Sequence, residues 1–341
     1  MKLSESLAAA ALLVGLLGGS VTAPAEGFPP EAFGRYEVTV TRVRIPVPLD
    51  PNGPEGVFTS VDADLYVPVG AGPRPLVELA HAWPGTLAEF PLSGWGNRLA
   101  SRGFVVIVVD RRAGTFASNL GGTRRAVDIL DLDSDVHSED MLRVLRWAIE
   151  QSATPGTPLT GAVDPAKLAI GGHSLGAYMA TFAAVRARSE GPNLAALVLL
   201  DPADERLGQL TLDSSLAVTP EVEIPTILLA SEADTHPVQC DMDDGIDCTL
   251  VPLQQYAALS TTKLGIKVVG SDHEDVEDPP TTGNPPVFLQ MYQRYAIAWI
   301  EYWVAGDCAA SVWLGGEASL PDQTEGRIEV LPDGSPPPSC G

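Results

Sequence analysis

A serine set between two glycines, Gly172-His173-Ser174-Leu175-Gly176, follows an apolar run at 168–173 and opens a helical pattern over 175–188. A serine hydroxyl becomes a useful nucleophile when a sharp strand-to-helix turn exposes it, a backbone N–H stands beside it and a base takes its proton. The apolar run and the helix supply that turn, and Gly172 and Gly176 leave room for it. The N–H of Leu175, at the helix N-terminus, is then placed to hold an oxyanion. The chemistry implied is attack on an acyl carbon; the alternative is a glycine-rich turn with no catalytic role.

Five histidines are available as the base: His81, His137, His173, His236 and His273. An elbow of this kind carries its partners in the chain order Ser, acid, His, which leaves His236 and His273. His273 lies in a polar stretch, Ser271-Asp272-His273-Glu274, just past an apolar run ending at Val269, and is the expected base. His236 stands two residues beyond Asp234 and competes with it for one place. Asp234, a few residues past the run 226–231, is the expected acid that holds the imidazole tautomer. Asp201, at the end of the preceding strand, is the second candidate, with a turn-shaping role before Pro202 as its alternative. The second oxyanion N–H belongs to the loop His81-Ala82-Trp83-Pro84-Gly85-Thr86, from Trp83 or alternatively Thr86. Pro84 has no N–H and cannot serve.

These residues need rigid elements to converge. From residue 36 onward short β-branched runs alternate with helical patterns, the sign of a mostly parallel sheet covered on both faces. Residues 36–47 and 62–67 read as a leading hairpin. Buried strands follow at 75–81, 104–110, 168–173, 196–201, 226–231 and 265–269, near-continuous apolar runs as a doubly covered sheet requires. Helical stretches fall at 96–102, 138–151, 175–188 and 286–304. The expectation is one α/β domain over 26–305 with about eight strands, then a Gly-, Pro- and Ser-rich tail over 306–341. The stretch 203–223 has room for about one short helix, so no large cap domain is expected.

Residues 1–25 read as a signal peptide: Lys2, an apolar stretch at 7–17, then Ala23-Pro24-Ala25 as a cleavage site. The apolar run falls short of the roughly 18 residues a membrane span needs. A secreted or periplasmic protein with no stable membrane insertion is expected. The four cysteines fit an oxidising compartment, pairing as Cys240 with Cys248 and Cys308 with Cys340. Neither pair has the C-x-x-C spacing of a zinc site, and no metal is expected.

Across 341 residues, 21 basic and 44 acidic side chains give a net charge of −23. A grip on nucleic-acid phosphates would work against the protein's own field, so no nucleic-acid partner is expected. With 45% hydrophobic residues the chain has material for a core, which excludes disorder as its main state. Two acidic clusters tempt a calcium reading. Asp131-x-Asp133-x-Asp135 lacks the glycine of an EF-hand loop, and Asp241-x-Asp243-Asp244-Gly245-x-Asp247 has its glycine out of register. Arg111, Arg112, Arg124 and Arg125 read as partners of nearby carboxylates.

Elbow, strand-ending acid and late histidine together resemble the α/β-hydrolase superfamily, over nearly all of the chain after the leader. Trp95-Gly96-Asn97-Arg98-Leu99-Ala100-Ser101-Arg102-Gly103-Phe104-Val105-Val106 is similar to the stretch before the fourth strand in cutinase-like polyester hydrolases and in platelet-activating-factor acetylhydrolase and chlorophyllase relatives. Ile224-Pro225-Thr226, continued by Asp234-Thr235-His236-Pro237-Val238, resembles the acid-bearing segment of the polyester hydrolases, and Gly270-Ser271-Asp272-His273 occupies the place of their base. A C-terminal disulfide fits that group too. Those enzymes usually carry Met after the nucleophile and an aromatic clamp after the sixth strand, where this chain has Leu175 and Leu200-Asp201-Pro202-Ala203. The first-loop aromatic is likewise not evident at Thr86. The resemblance implies an α/β-hydrolase fold and a monomeric serine esterase, lipase or cutinase-like polyester hydrolase acting on a small-molecule or polymeric ester without cofactor. A silent hydrolase-like binding protein, or a thioesterase, lactonase or peptidase on the same fold, is the alternative.

Overall fold

The computed structural model describes residues 29–49, 56–70, 72–82, 88, 91–112, 134–204, 206–207, 210–211, 213–233, 250–279, 282–335 and 337. The leading hairpin is β1 (Val38–Pro48) with β2 (Phe58–Pro68), paired antiparallel along their full length. Next in the chain come β3 (Arg74–Ala80), α1 (Ser93–Ser101), β4 (Val105–Arg112), α2 (Ser134–Ala153) and β5 (Val163–His173). They are followed by α3 (Leu175–Glu190), β6 (Ala196–Leu200) and a small separate ribbon of β7 (Arg206–Leu207) with β8 (Leu210–Thr211). The main elements after them are α4 (Ser215–Val218), β9 (Thr226–Ser231), α5 (Leu250–Ala258), β10 (Lys263–Val268), α6 (Val287–Ile300) and β11 (Ile328–Val330), with short helical turns between Cys308 and Thr324.

One nine-stranded sheet results, in the order β1-β2-β4-β3-β5-β6-β9-β10-β11. Pairing is parallel from β4 through β10 and antiparallel at both edges. Because every parallel step needs a crossover, helices cover both faces and the inner strands are apolar on both sides. Along β3, Leu76 and Ala80 face the layer built with Leu142, Leu145 and Ala180 of α2 and α3. Val77 and Leu79 face the opposite layer, with Trp95 of α1 and Trp299 of α6. Between β6 and β9 the described residues hold only the ribbon, the four-residue α4 and a 3₁₀ turn at Thr219–Glu221, with no cap domain. No helix among the described residues is long and apolar enough to cross a membrane.

The sheet has one strand more than the sequence suggests. β11 lies in the Gly- and Pro-rich stretch after 305, and three residues are too few for alternation to register. Its Ile328 pairs with Val268, and the turn before it is tied down through Asp322. That wholly buried carboxylate accepts from Arg294 at 2.5 Å, Arg327 at 2.9 Å and Tyr295 at 2.9 Å. β5 begins five residues before the apolar run, because Val163 pairs with Arg74 across a bulge while Asp164-Pro165 interrupt the pattern. α6 widens into a π turn over Glu301–Ala305 and stops at Gly306, whose φ of 77° suits glycine.

One polar residue sits where an apolar one belongs. Glu78, on β3, is wholly buried on the face of Leu76 and Ala80, and neither carboxyl oxygen has a hydrogen-bond partner among the described residues. Burial pushes its pKa well above the ordinary value, and the charge of Asp140 pushes it further. A carboxyl raised in the folded state binds more protons there than in the unfolded chain, so stability is full below the unfolded pKa and drains away as pH rises above it. Glu78→Gln removes that drain. Its unfolding free energy relative to wild type is expected to climb by up to about 1.4 kcal/mol per pH unit above pH 5. Urea unfolding at pH 5, 6, 7 and 8 measures the difference, and a flat difference would show that Glu78 is not protonated in the fold.

Candidate active site

The elbow forms because the chain is squeezed against the end of β3. A Cβ at Gly172 would lie 2.6 Å from the Ala80 carbonyl oxygen, and one at Gly176 only 2.2 Å from it. Only glycine at both places lets α3 start directly beside the sheet. Between them Ser174 adopts φ 57° and ψ −118°, a conformation costly to any residue with a side chain. Its N–H donates to the Leu200 carbonyl at 3.0 Å, while its own carbonyl accepts from Ala203 at 3.2 Å and Tyr178 at 3.0 Å. Strand β6 and helix α3 thus hold the strained residue from both sides. Leu175 follows as the first residue of α3 and is buried.

Asp201 leaves β6 with φ 44°, its N–H donating to the Leu229 carbonyl of β9 at 2.7 Å. That turn aims its carboxylate across the end of the sheet. Oδ1 accepts from the Ser231 N–H at 3.0 Å, and Oδ2 accepts from the Ser231 hydroxyl at 2.6 Å. Oδ2 also faces His273 Nδ1 at 2.7 Å. Since a carboxylate only accepts, the proton of this bond sits on the imidazole Nδ1, which leaves Nε2 as the basic nitrogen. Asp201 and His273 are 1% and 2% exposed, so the pair acts with little solvent screening.

The loop carrying His273 is fixed from several directions. His273 opens a 3₁₀ turn, His273–Val276, closed by a capping box between Asp272 and Asp275. Asp275 accepts from the Asp272 N–H at 2.8 Å, the Thr282 hydroxyl at 2.6 Å and the Asn284 amide at 3.0 Å. On the other side Trp95 donates its indole N–H to the Val276 carbonyl at 2.8 Å. Ser271 shares a hydrogen bond with the Tyr292 hydroxyl at 2.9 Å. The Ala233 N–H donates to the Ser271 carbonyl at 2.9 Å, which ties the loop after β9 to this one. The His273 ring lies 4.5 Å from that of His173, the residue before the serine.

The expected residues therefore divide. Ser174, Leu175 and His273 converge at the carboxyl edge of β5, β6 and β10, where open α/β sheets place their ligands. Asp234 lies outside the described residues, and the carboxylate on His273 Nδ1 is that of Asp201, which the sequence ranks second. Trp83, Thr86 and His236 also lie outside them, as do Cys240, Cys248 and Cys340, residues 1–25 expected as a leader, Arg124, Arg125 and the acidic positions 131, 133 and 241–247. Cys308 begins a 3₁₀ turn at the foot of the C-terminal segment. Ser231 and Asp275 escaped sequence reading because both act through backbone and side-chain contacts between distant segments; only the Asp-x-x-Asp spacing at 272–275 signals a cap.

No match to a curated protein was found. A family model described as alpha/beta hydrolase fold matches residues 135–254, about a third of the chain, which includes the elbow and Asp201 but stops before His273. With a mixed, mostly parallel sheet, helices on both faces and an elbow after β5, the domain has the alpha/beta-hydrolase fold.

Proposed function

We propose that this chain is an exported serine hydrolase that cleaves carboxylic esters through an acyl-enzyme on Ser174. One observation carries the reading: a buried His273–Asp201 pair at 2.7 Å, its imidazole ring 4.5 Å from that of His173, the residue before a serine held at φ 57° on a glycine-flanked elbow. In this reading Asp201, the second candidate from the sequence, serves as the acid on His273. It keeps the proton on Nδ1, so Nε2 takes the Ser174 proton as Oγ attacks the ester carbonyl. The Leu175 N–H and one donor from Trp83 or Thr86 hold the oxyanion. His273 then gives its proton to the leaving alcohol, and water, activated by the same nitrogen, releases the acid and restores Ser174. The leader at 1–25 and the pairs Cys240–Cys248 and Cys308–Cys340 suit a monomer working outside the cytoplasm on small-molecule or polymeric esters, in the manner of an esterase, lipase or cutinase-like enzyme.

The test is active-site labelling together with turnover. A fluorophosphonate should leave one covalent adduct, located on Ser174 by peptide mass, and the same protein should hydrolyse p-nitrophenyl esters somewhere between acetate and palmitate. No adduct and no hydrolysis above the blank would overturn the proposal in favour of a binding protein. The position of the His273 loop gives a second expectation. Asp275→Ala removes three anchors of that loop, and a misplacement of about 1 Å costs on the order of 10²-fold in rate. A fall of that size in kcat with unchanged circular dichroism is expected, whereas wild-type kcat would show that the capping box does not position the base.

A further inference from the structure

Two donors from one residue meet the carboxylate that faces the base. The Ser231 N–H reaches Asp201 Oδ1 at 3.0 Å, and the Ser231 hydroxyl reaches Oδ2 at 2.6 Å, the oxygen that also faces His273 Nδ1 at 2.7 Å. Because a carboxylate only accepts, the hydroxyl donates, and Oδ2 divides its charge between two donors. Ser231 ends β9 and is 3% exposed, so little water softens that division. Placement of the carboxylate does not need the hydroxyl. The backbone N–H of Ser231 holds Oδ1, the ring holds Oδ2, and the Asp201 N–H is bound to the Leu229 carbonyl of the same strand at 2.7 Å. What the hydroxyl adds is electrostatic: it turns the positive end of its dipole toward the oxygen on which an imidazolium would depend.

Other ionisable groups surround the ring. From β5 comes His173, wholly buried, with its ring 4.5 Å away. On the loop of the base, Asp272 accepts from the His273 backbone N–H at 2.8 Å and Asp275 from the Asp272 N–H at 2.8 Å, while Glu274 and Glu277 are the other carboxyls of that turn. Glu232, next after Ser231, accepts from the Gly270 N–H at 3.0 Å and faces Lys267 at 3.4 Å. From α6, Tyr292 shares a hydrogen bond with Ser271. Among the described residues, the Asp201 carboxylate itself meets only Ser231 and His273. We propose that Ser231 is a positioning residue that acts on the base through Asp201: its hydroxyl draws charge from Oδ2 and keeps the His273 ring less basic than the carboxylate alone would make it. This rests on the esterase reading above. The consequence is a base that stays neutral, with Nε2 open to the Ser174 proton, further down in pH.

Ser231→Ala tests it on the full chain, because it removes the hydroxyl and leaves the backbone N–H in place. The acid limb of kcat/KM for ester hydrolysis reports the base of the free enzyme and should move up by about 0.5–1 pH unit, a loss of about 3- to 10-fold in rate at pH values below the limb. A limb that stays, with an equal loss at every pH, would show a merely structural role and overturn the proposal, as would a limb that moves down. Should Ser231→Ala fail to fold, Ser231→Cys serves instead. Its thiol is a weak donor of similar shape, so the limb should move the same way by a smaller amount, and an unmoved limb would again overturn the proposal. A second readout needs no turnover. In ¹⁵N spectra of histidine-labelled protein, the ring whose signals vanish in His273→Asn should titrate higher in the Ser231 variant than in wild type, and identical titrations would overturn the inference. Fluorophosphonate labelling of wild type keeps the two ideas apart. A labelled Ser174 with an unmoved limb and titration sinks only this inference, and an unlabelled Ser174 sinks the reading beneath it and this inference with it.

Discussion

Asp201→Asn is expected to lower kcat/KM for ester hydrolysis by about 10⁴-fold, while Asp234→Asn changes it by less than about 3-fold. The reasoning follows the donors around the carboxylate. Ser231 offers its N–H to Oδ1, so an asparagine turns its carbonyl oxygen to that side and its amide NH₂ to the place of Oδ2. That NH₂ then points at His273 Nδ1, where the wild-type oxygen lies at 2.7 Å. The ring answers by accepting at Nδ1 and carrying its proton on Nε2, the tautomer that cannot take a proton from Ser174. The fold should survive, because volume is kept, the Ser231 N–H still donates to the amide oxygen, and the Ser231 hydroxyl turns to accept from the NH₂. The remaining activity should rise with hydroxide as solvent replaces the base. Initial rates between pH 5 and 10 for both variants decide the matter. Wild-type kinetics for Asp201→Asn with a collapse in Asp234→Asn would move the acid to the loop after β9.

The choice between these aspartates shows what the sequence could and could not reveal. Both follow apolar strands and precede His273, so order and strand-end position fit either. Strand order in space brings Asp201 to His273, and it depends on pairings that no local pattern encodes; Asp234 lies outside the described residues. β6 lies between β5 and β9, so its terminal residue is one strand from Ser174 and turns toward Ser231 and the histidine loop. The elbow, by contrast, was legible because its requirements are local: an apolar strand, two glycines and a helix within twenty residues. His273 was legible by elimination. The Arg42–Asp110 link, 68 residues apart, and the anchors of Asp275 were not, since they join side chains whose neighbours in sequence are unremarkable. The helix α5 and the strand β11 were missed for a different reason. The strand is three residues long and gains its place by pairing with β10, and the helix buries only Pro252, Gln255 and Tyr256, which form no apolar stripe.

Ser174→Ala should remove about 10⁵- to 10⁶-fold of kcat, the largest single loss available to this site. Because nucleophile, base and acid act as one unit, adding Asp201→Asn to Ser174→Ala should cost nothing more. A further tenfold fall in the double variant would mean that Asp201 serves turnover by some route other than His273. Stability should move the other way when the side chain is removed altogether. Ser174 stands at φ 57° because Leu200, Ala203 and Tyr178 hold its backbone there, and a residue with a Cβ pays about 1–3 kcal/mol for such a conformation. Alanine keeps that cost, so Ser174→Ala should unfold within about 0.5 kcal/mol of wild type. Glycine relieves it, and Ser174→Gly should be inactive yet more stable by about 1 kcal/mol, after its greater unfolded-state entropy is deducted. Denaturant midpoints for the three proteins measure this directly. Strain retained only for a side chain that performs the chemistry is the signature of a working nucleophile, and a Ser174→Gly variant less stable than Ser174→Ala would remove that argument.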